Sequence, residues 1–364
     1  MIPVRPRRSM FFLRIAGALA LLAAAVAPVR AEPVPVVATF SVLGDMVKQI
    51  GDDRVAVTTL VGPDGDTHVY RPSPADARAV ARARLMVVNG LGFEGWMERL
   101  LAAADFKGVL VTASDGVDVI ETGEDEGHHG DAHKDSHGHE ESEKHGHDEH
   151  AHDKANKATG HDHDEKAGEH GHAEHRGHEE DGHHGHDHGA HDPHAWQDLA
   201  SARVYARNIA KGLAAVDPAN AAHYQERLTR YLKAISTLDA EIKTAMAQLP
   251  ASRRTVVTSH DAFQYFGRAY GLTFLAPQGL STESEASAED VARLIRQIRA
   301  EKIKAVFVEN LSDPRLVKRI AEETGAVVGG TLYPGALSPP GGPAPTYLDM
   351  LRTNARVLRN TLAD

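Results

Sequence analysis

Residues 217–249, DPANAAHYQERLTRYLKAISTLDAEIKTAMAQL, read as one unbroken helix. Asp217 offers a cap and Pro218 suits the first helical position. Tyr224, Leu228, Tyr231, Leu232, Ile235, Leu238, Ile242, Met246 and Leu249 then recur at helical spacing until Pro250. About 30 residues rising about 1.5 Å each make a rod of roughly 45 Å. Such a rod can lie along two lobes and clamp them. Its apolar stripe is broad, aromatic and without a clean heptad, which argues against a coiled-coil dimer and for a monomer.

On both sides of the rod the same pattern repeats. Val34 to Phe40 (VPVVATF) is apolar and β-branched, as a strand buried on both faces would be, and Ser41 to Ile50 follows at helical spacing. Val55 to Val61, Leu85 to Asn89 and Val109 to Thr112 predict further strands, with helices at Pro74 to Arg82 and Gly95 to Ala103. Beyond the rod, strands are predicted at Thr255 to Thr258, Thr273 to Ala276, Ala305 to Val308 and Ala326 to Gly330. Helical patterns lie between them at Ala262 to Tyr270, Ala288 to Glu301 and Pro314 to Glu323. Alternating strand and helix implies an α/β fold of two lobes, each with a mainly parallel sheet flanked by helices. The expected organisation is a signal peptide over 1–31, a first lobe over 32–216, the linking helix over 217–249 and a second lobe over 250–364.

The 364 residues contain no cysteine, which excludes disulfides, thiolate zinc sites, iron–sulfur clusters and an acylated N-terminal thiol. Any metal must be held by imidazole, carboxylate or water. Arg5 to Arg8 form a basic region, Met10 to Ala27 is apolar apart from Arg14, and Val29-Arg30-Ala31 suits cleavage near Ala31. The longest charge-free run there, Ile15 to Val29, is shorter than the roughly 20 residues a spanning helix needs. The expectation is export, by the general or the twin-arginine route, to a soluble periplasmic protein without a lipid anchor.

Histidine and charge concentrate in one place. Of 24 histidines, 20 lie between His128 and His191, and residues 121–192 carry 22 acidic against 6 basic side chains. Of the chain's net −11, this stretch holds −16, and the five arginines of residues 1–31 account for the remaining +5. The body is therefore near neutral and has no footprint for nucleic acid. With almost nothing apolar larger than alanine, 121–192 is expected to be a disordered insert. It contains five His-x-His pairs: His137 with His139, His145 with His147, His161 with His163, His170 with His172, and His186 with His188. Interleaved with carboxylates, these pairs suit several weak auxiliary sites for zinc, copper or nickel.

Outside the insert, His68 follows a predicted strand in a turn-rich loop, His194 sits in HDPHAW where the insert ends, and His260 follows a strand in TSHDAF. Ligands of parallel α/β sheets bind beyond the carboxyl ends of strands, which is where His68 and His260 fall. Trp196 and Phe263 are placed to pack around such a site. Glu309 and Asn310 are placed either to cap their strand, or to line the cleft or hydrogen-bond a ligand imidazole, Asp261 to orient His260 or cap a helix, and His223 on the surface of the linking helix. Gly90-Leu-Gly92-Phe-Glu-Gly95 after a strand, with Asp115 further on, imitates a dinucleotide fingerprint. Phe93 and Glu94 would crowd a pyrophosphate, so a tight turn is the better reading.

The runs GPDGDTHVYRPSPAD, HDPHAW, TSHDAFQYFGRAYGL, GLSTESEASAEDV and GPAPTYLDMLRTN resemble the zinc and manganese solute-binding proteins of bacterial ABC importers. The likeness covers essentially the whole mature chain, and a His-rich insert marks zinc-specific members. It implies that His68, His194 and His260 are three imidazole ligands in a cleft between lobes bridged by a rigid helix. The partners it implies are a zinc ion and a membrane permease driven by a cytoplasmic ATPase. Such proteins often add a carboxylate where this chain has Gly335 in YPGALS. The fourth position is then expected to fall to water or to an insert residue such as His191. An all-imidazole set suits Zn²⁺ better than Mn²⁺, which prefers oxygen. A periplasmic zinc buffer without a permease is the alternative, and a zinc hydrolase a remote one, since the chain has no HExxH helix.

Overall fold

The computed structural model describes residues 32–122 and 191–363. The expected signal peptide lies outside the described residues. So do all the histidines proposed for the weak auxiliary sites: His137, His139, His145, His147, His161, His163, His170, His172, His186 and His188. The first lobe runs β1 (Val34–Phe40), α1 (Ser41–Gly51), β2 (Val55–Val61), α2 (Pro74–Arg82), β3 (Leu85–Val88), α3 (Met97–Ala104) and β4 (Val109–Thr112). Two helices follow, α4 (Leu199–Val216) and α5 (Ala221–Ala247). The second lobe runs β5 (Thr255–Val257), α6 (Gln264–Tyr270), β6 (Thr273–Leu275), α7 (Ala288–Glu301), β7 (Ala305–Glu309), α8 (Arg315–Thr324), β8 (Val327–Leu332) and α9 (Tyr347–Ala363).

Each lobe contains one parallel four-stranded sheet, ordered β2-β1-β3-β4 and β6-β5-β7-β8. The two orders are the same arrangement used twice, as the repeated strand and helix pattern implies. The central strands β1 and β3 are apolar and almost wholly buried because helices cover both faces. No helix among the described residues is long and apolar enough to cross a membrane.

Helix α5 packs on α1 and α4 of the first lobe and on α6 and α9 of the second. Its apolar stripe, from Tyr224 through Ile235 to Met246, is buried along its length. Asp239, 7 % exposed, fastens three helices: its carboxylate accepts from Tyr270 Oη (3.2 Å), Arg203 (3.4 Å) and Lys243 (2.9 Å). Pro218–Asn220 forms a separate 3₁₀ turn ahead of α5, and the Asp217 carboxylate accepts from Asn220 and from Tyr224 Oη.

Direct bonds between the lobes complete the clamp. Tyr347 N–H donates to Asp45 of α1 (2.9 Å), Tyr347 Oη to Trp196 O (2.5 Å), Leu337 N–H to Ser41 Oγ (2.9 Å) and Trp196 Nε1 to Pro334 O (2.7 Å). One apolar cluster runs from Val34 through Trp196 and Tyr265 to Leu362, so the lobes share a core. A hinge that opened widely would break that core, and packed interiors resist such deformation.

Candidate metal centre

His68 is placed by the loop after β2. Its backbone N–H donates to Asp66 Oδ1 (2.9 Å), and Trp96 Nε1 donates to Thr67 O (3.0 Å), which fixes the turn just before the ring. His194 follows Asp192-Pro193. Asp192 Oδ1 accepts from its backbone N–H (2.9 Å) and pairs with its Nδ1 (2.8 Å), while Asn89 Nδ2 holds Pro193 O (3.0 Å). His260 lies just beyond β5, and Glu309 reaches it from the end of the adjacent strand β7. Glu309 Oε1 accepts from the amides of Ser259 (2.9 Å) and His260 (3.1 Å), and Oε2 pairs with His260 Nδ1 (2.5 Å).

The three rings form a near-equilateral triangle, with centroid separations of 5.5 Å, 5.8 Å and 5.5 Å. One nitrogen from each lies within 4.8 Å of the others, and the Nε2 atoms of His68 and His194 are 3.4 Å apart. His194 and His260 are each 1 % exposed, whereas His68 is partly exposed at the mouth. Phe93 packs edge-on to His68 at 4.9 Å, and Trp196 packs on His194 at 5.3 Å, so aromatic rings line the protein side of the triangle.

The Nδ1 atoms of His194 and His260 both face buried carboxylates, which fixes the tautomer and leaves each Nε2 lone pair for a cation. Asp192 is 1 % and Glu309 3 % exposed. Burial alone would lower the His260 pKa. The Glu309 charge and hydrogen bond, with Asp66 and Asp261 adding, outweigh it and raise the pKa above the ordinary imidazole value. Three neutral imidazoles, two buried carboxylates and one divalent cation sum to zero charge, which avoids the cost of an uncompensated buried ion.

Several sequence readings resolve here. Asp261 does not orient His260: its carboxylate accepts from Gln264 Nε2 (2.6 Å), and Glu309 takes the orienting role. Sequence reasoning missed Asp192, although an acid two residues before a candidate ligand is the signal that could have found it. Asn310 bridges the lobes at the mouth, donating to Asp64 Oδ1 (2.9 Å). Phe263 stacks on Phe274. His223 is half-buried rather than a surface residue, and it stands with Asp52 and Asp53 away from the triangle. His191 is not among the three converging imidazoles. At Gly335 a Cβ would meet Trp196 Cζ2 at 3.3 Å, so any side chain there crowds the indole. The Gly90–Gly95 loop is closed to phosphate, because the Glu94 carboxylate accepts from the amides of Asn89 (2.6 Å) and Gly90 (3.2 Å) and from Thr39 Oγ1 (2.7 Å).

Residues 36–361 match the family described as zinc-uptake complex component A, periplasmic. The manganese ABC transporter substrate-binding lipoprotein PsaA of Streptococcus pneumoniae is 27 % identical over 352 residues, covering 95 % of this chain and 94 % of its own. The iron-binding protein YfeA of Yersinia pestis is 27 % identical, covering 88 % and 84 %. The periplasmic zinc-binding protein TroA of Treponema pallidum superposes with a TM-score of 0.70 at 25 % identity, covering 92 % of this chain and all of its own. PsaA is by name a transporter component rather than an enzyme, and by name the three relatives bind manganese, iron and zinc respectively. They also correct one expectation. PsaA and other relatives are named lipoproteins, so the expectation of a protein without a lipid anchor does not stand, while an extracytoplasmic place does. That expectation rests on the lack of cysteine, which bears on a single acylation chemistry.

Proposed function

The chain belongs to the ZnuA family of periplasmic metal-binding proteins that serve ABC importers, and from that premise we propose that its cargo is Zn²⁺, held by His68, His194 and His260. The observation that carries this reading is the donor set itself. Zinc bonds imidazole nitrogen at about 2.0–2.1 Å, so tetrahedral ligand nitrogens lie about 3.3 Å apart. His68 Nε2 and His194 Nε2 are separated by 3.4 Å. Among the described residues the triangle contains no carboxylate ligand, which disfavours manganese. Water fills the fourth position, and the permease takes the ion from the His68 side, where the site is most exposed. Since the lobes share a core, release comes from movement of the His68 loop rather than from wide opening.

Zinc titration of the full chain is expected to be biphasic, with one tight ion and several weak ones held by the His-x-His pairs from His137 to His188. Competition with manganese should favour zinc for the tight class. Deleting residues 124–189 should remove the weak class alone. The deletion leaves the junction intact, because Glu121 and His191 already pair across it. Loss of tight binding on deletion would place the primary site in the insert and refute the reading.

Glu309→Gln is expected to lower zinc affinity about 10- to 100-fold, measured by chelator competition. A glutamine has one acceptor oxygen for the two amides and the Nδ1 that Glu309 now serves, so the ring loses its fixed tautomer. Unchanged affinity would show that the carboxylate does not tune the ligand.

A further inference from the structure

The loop that carries His68 is fastened to the second lobe at two points. Asp64 N–H donates to Leu337 O (2.9 Å), and Asn310 Nδ2 donates to Asp64 Oδ1 (2.9 Å). Asp64 has a left-handed backbone (φ 52°), which a residue with a side chain keeps only where its surroundings demand it. The second point is Asp66, whose Oδ2 accepts from Thr282 Oγ1 (2.6 Å). The other oxygen of the same carboxylate, Oδ1, accepts from the backbone N–H of His68 (2.9 Å).

Thr282 belongs to the segment between β6 and α7, in the run GLSTESEASAEDV, to which the three-imidazole site gives no role. The root of that segment is tied to another ligand. Gln278 pairs with His260 in a parallel bridge, and Asp261 N–H donates to Gln278 O (3.1 Å) and Gly279 O (3.2 Å). Gln278 Nε2 then donates to Ser284 O (2.5 Å), and Ser281 Oγ accepts from Glu283 N–H (3.1 Å), so residues 278–284 form a closed turn that contains Thr282. A continuous path therefore runs from the backbone of His260 through Gln278 and Thr282 to Asp66 and the backbone of His68. It joins the two lobes beside the mouth, where Ser281 and Glu283 line one cavity with His68.

We propose that Thr282 is a positioning residue for the metal ligand His68, acting through Asp66. The proposal rests on the three-imidazole reading given above and names the bond that governs how long the ion stays. His194 and His260 are held at the ring by buried carboxylates, at 2.8 and 2.5 Å from their Nδ1 atoms. His68 is the partly exposed member of the triangle, and Asp66 fixes the turn that presents it. Because the Asp66 carboxylate serves both lobes at once, the place of the His68 amide is set from across the cleft. Asp66 and Thr282 are both half-buried, so their bond can open while the shared core stays closed. Once it opens, nothing from the second lobe aims Asp66 Oδ1 at the His68 amide, and the ring swings off the ion more readily.

The test is stopped-flow release of Zn²⁺ from the loaded full chain into excess chelator, read by tryptophan fluorescence, beside the association rate of the metal-free chain. The Trp196 ring, 5.3 Å from that of His194, reports on the tight site. Thr282→Val keeps the shape of the side chain and removes the donor. It is expected to speed the slow, tight-site phase of release about tenfold, the equivalent of about 1.4 kcal/mol, with association altered by less than about twofold. Thr282→Ser, which keeps the hydroxyl, should recover most of the wild-type lifetime. A variant that merely folded less well would load less zinc without hastening release from the loaded fraction. Wild-type release in Thr282→Val would overturn the proposal. So would a Thr282→Ser variant as fast as Thr282→Val, since the methyl group rather than the hydrogen bond would then matter. Equal acceleration of uptake and release would also overturn it, by making the bond a barrier to passage instead of a brace for the ligand. A slow phase that survives unchanged in His260→Ala would instead refute the underlying three-imidazole reading, whatever Thr282 does.

Discussion

Replacing His260 by alanine is expected to cut tight zinc binding by two to three orders of magnitude. Four-ligand structural zinc sites gain about 10–16 kcal/mol, so one ligand contributes about 3 kcal/mol, and about 1.4 kcal/mol is a factor of ten. A second effect adds to this loss. His260 is the partner of Glu309 Oε2, and removing the ring leaves a buried carboxylate with only the two backbone amides and the Ser312 hydroxyl that donates to it at 3.1 Å. The variant should therefore also melt at a lower temperature without metal. His223→Ala is the control, because that ring lies outside the triangle and should leave tight binding unchanged. The measurement is competition against a chelator of known affinity, with the weak class first saturated. Wild-type affinity in His260→Ala would dismiss the proposed site.

Acidification is expected to have an effect of similar size. Zinc requires the neutral ring, and the Glu309 pair raises the His260 pKa despite the burial that opposes it. Protons therefore begin to compete for this ligand above the ordinary imidazole pKa of about 6.5. Below the raised pKa, each protonated imidazole costs zinc about a factor of ten per pH unit. The stability of the metal-free protein runs the other way. A group whose folded-state pKa is raised contributes stability that is fully present below its unfolded pKa and is lost as pH rises through the folded one. Zinc should thus raise the melting temperature strongly at pH 8 and progressively less toward pH 5.5. A zinc-induced shift that stays constant across this range would show that the ring does not exchange a proton for the metal.

Much of the architecture was legible because it depends on short-range patterns. VPVVATF at Val34–Phe40 is too apolar for a strand with a wet face, and the alternation of strand and helix repeated on both sides of the linking helix points to two parallel sheets. The Gly90–Gly95 loop was less decipherable, since a glycine-rich turn after a strand looks the same whether phosphate or a side chain caps its amides. Glu94, folded onto Asn89 and Gly90, decides that question in the structure. Burial raises its pKa, outweighing the hydrogen bonds from Thr39, Asn89 and Gly90 that lower it.

The second layer of the candidate site divides in the same way. Sequence adjacency favoured Asp261 as the partner of His260, yet successive residues near a strand end point in different directions. Glu309, 49 residues away, reaches the ring because β7 lies parallel to β5 in the sheet. By itself the sequence determined the strands, the long helix and three histidines at favourable chain positions, because periodicity and turn chemistry are local properties. Only the tertiary structure decided which carboxylates stand behind those rings, that the lobes share one core, and that the imidazoles meet. Each of these depends on strand order and packing between residues far apart in the chain, which no local pattern encodes.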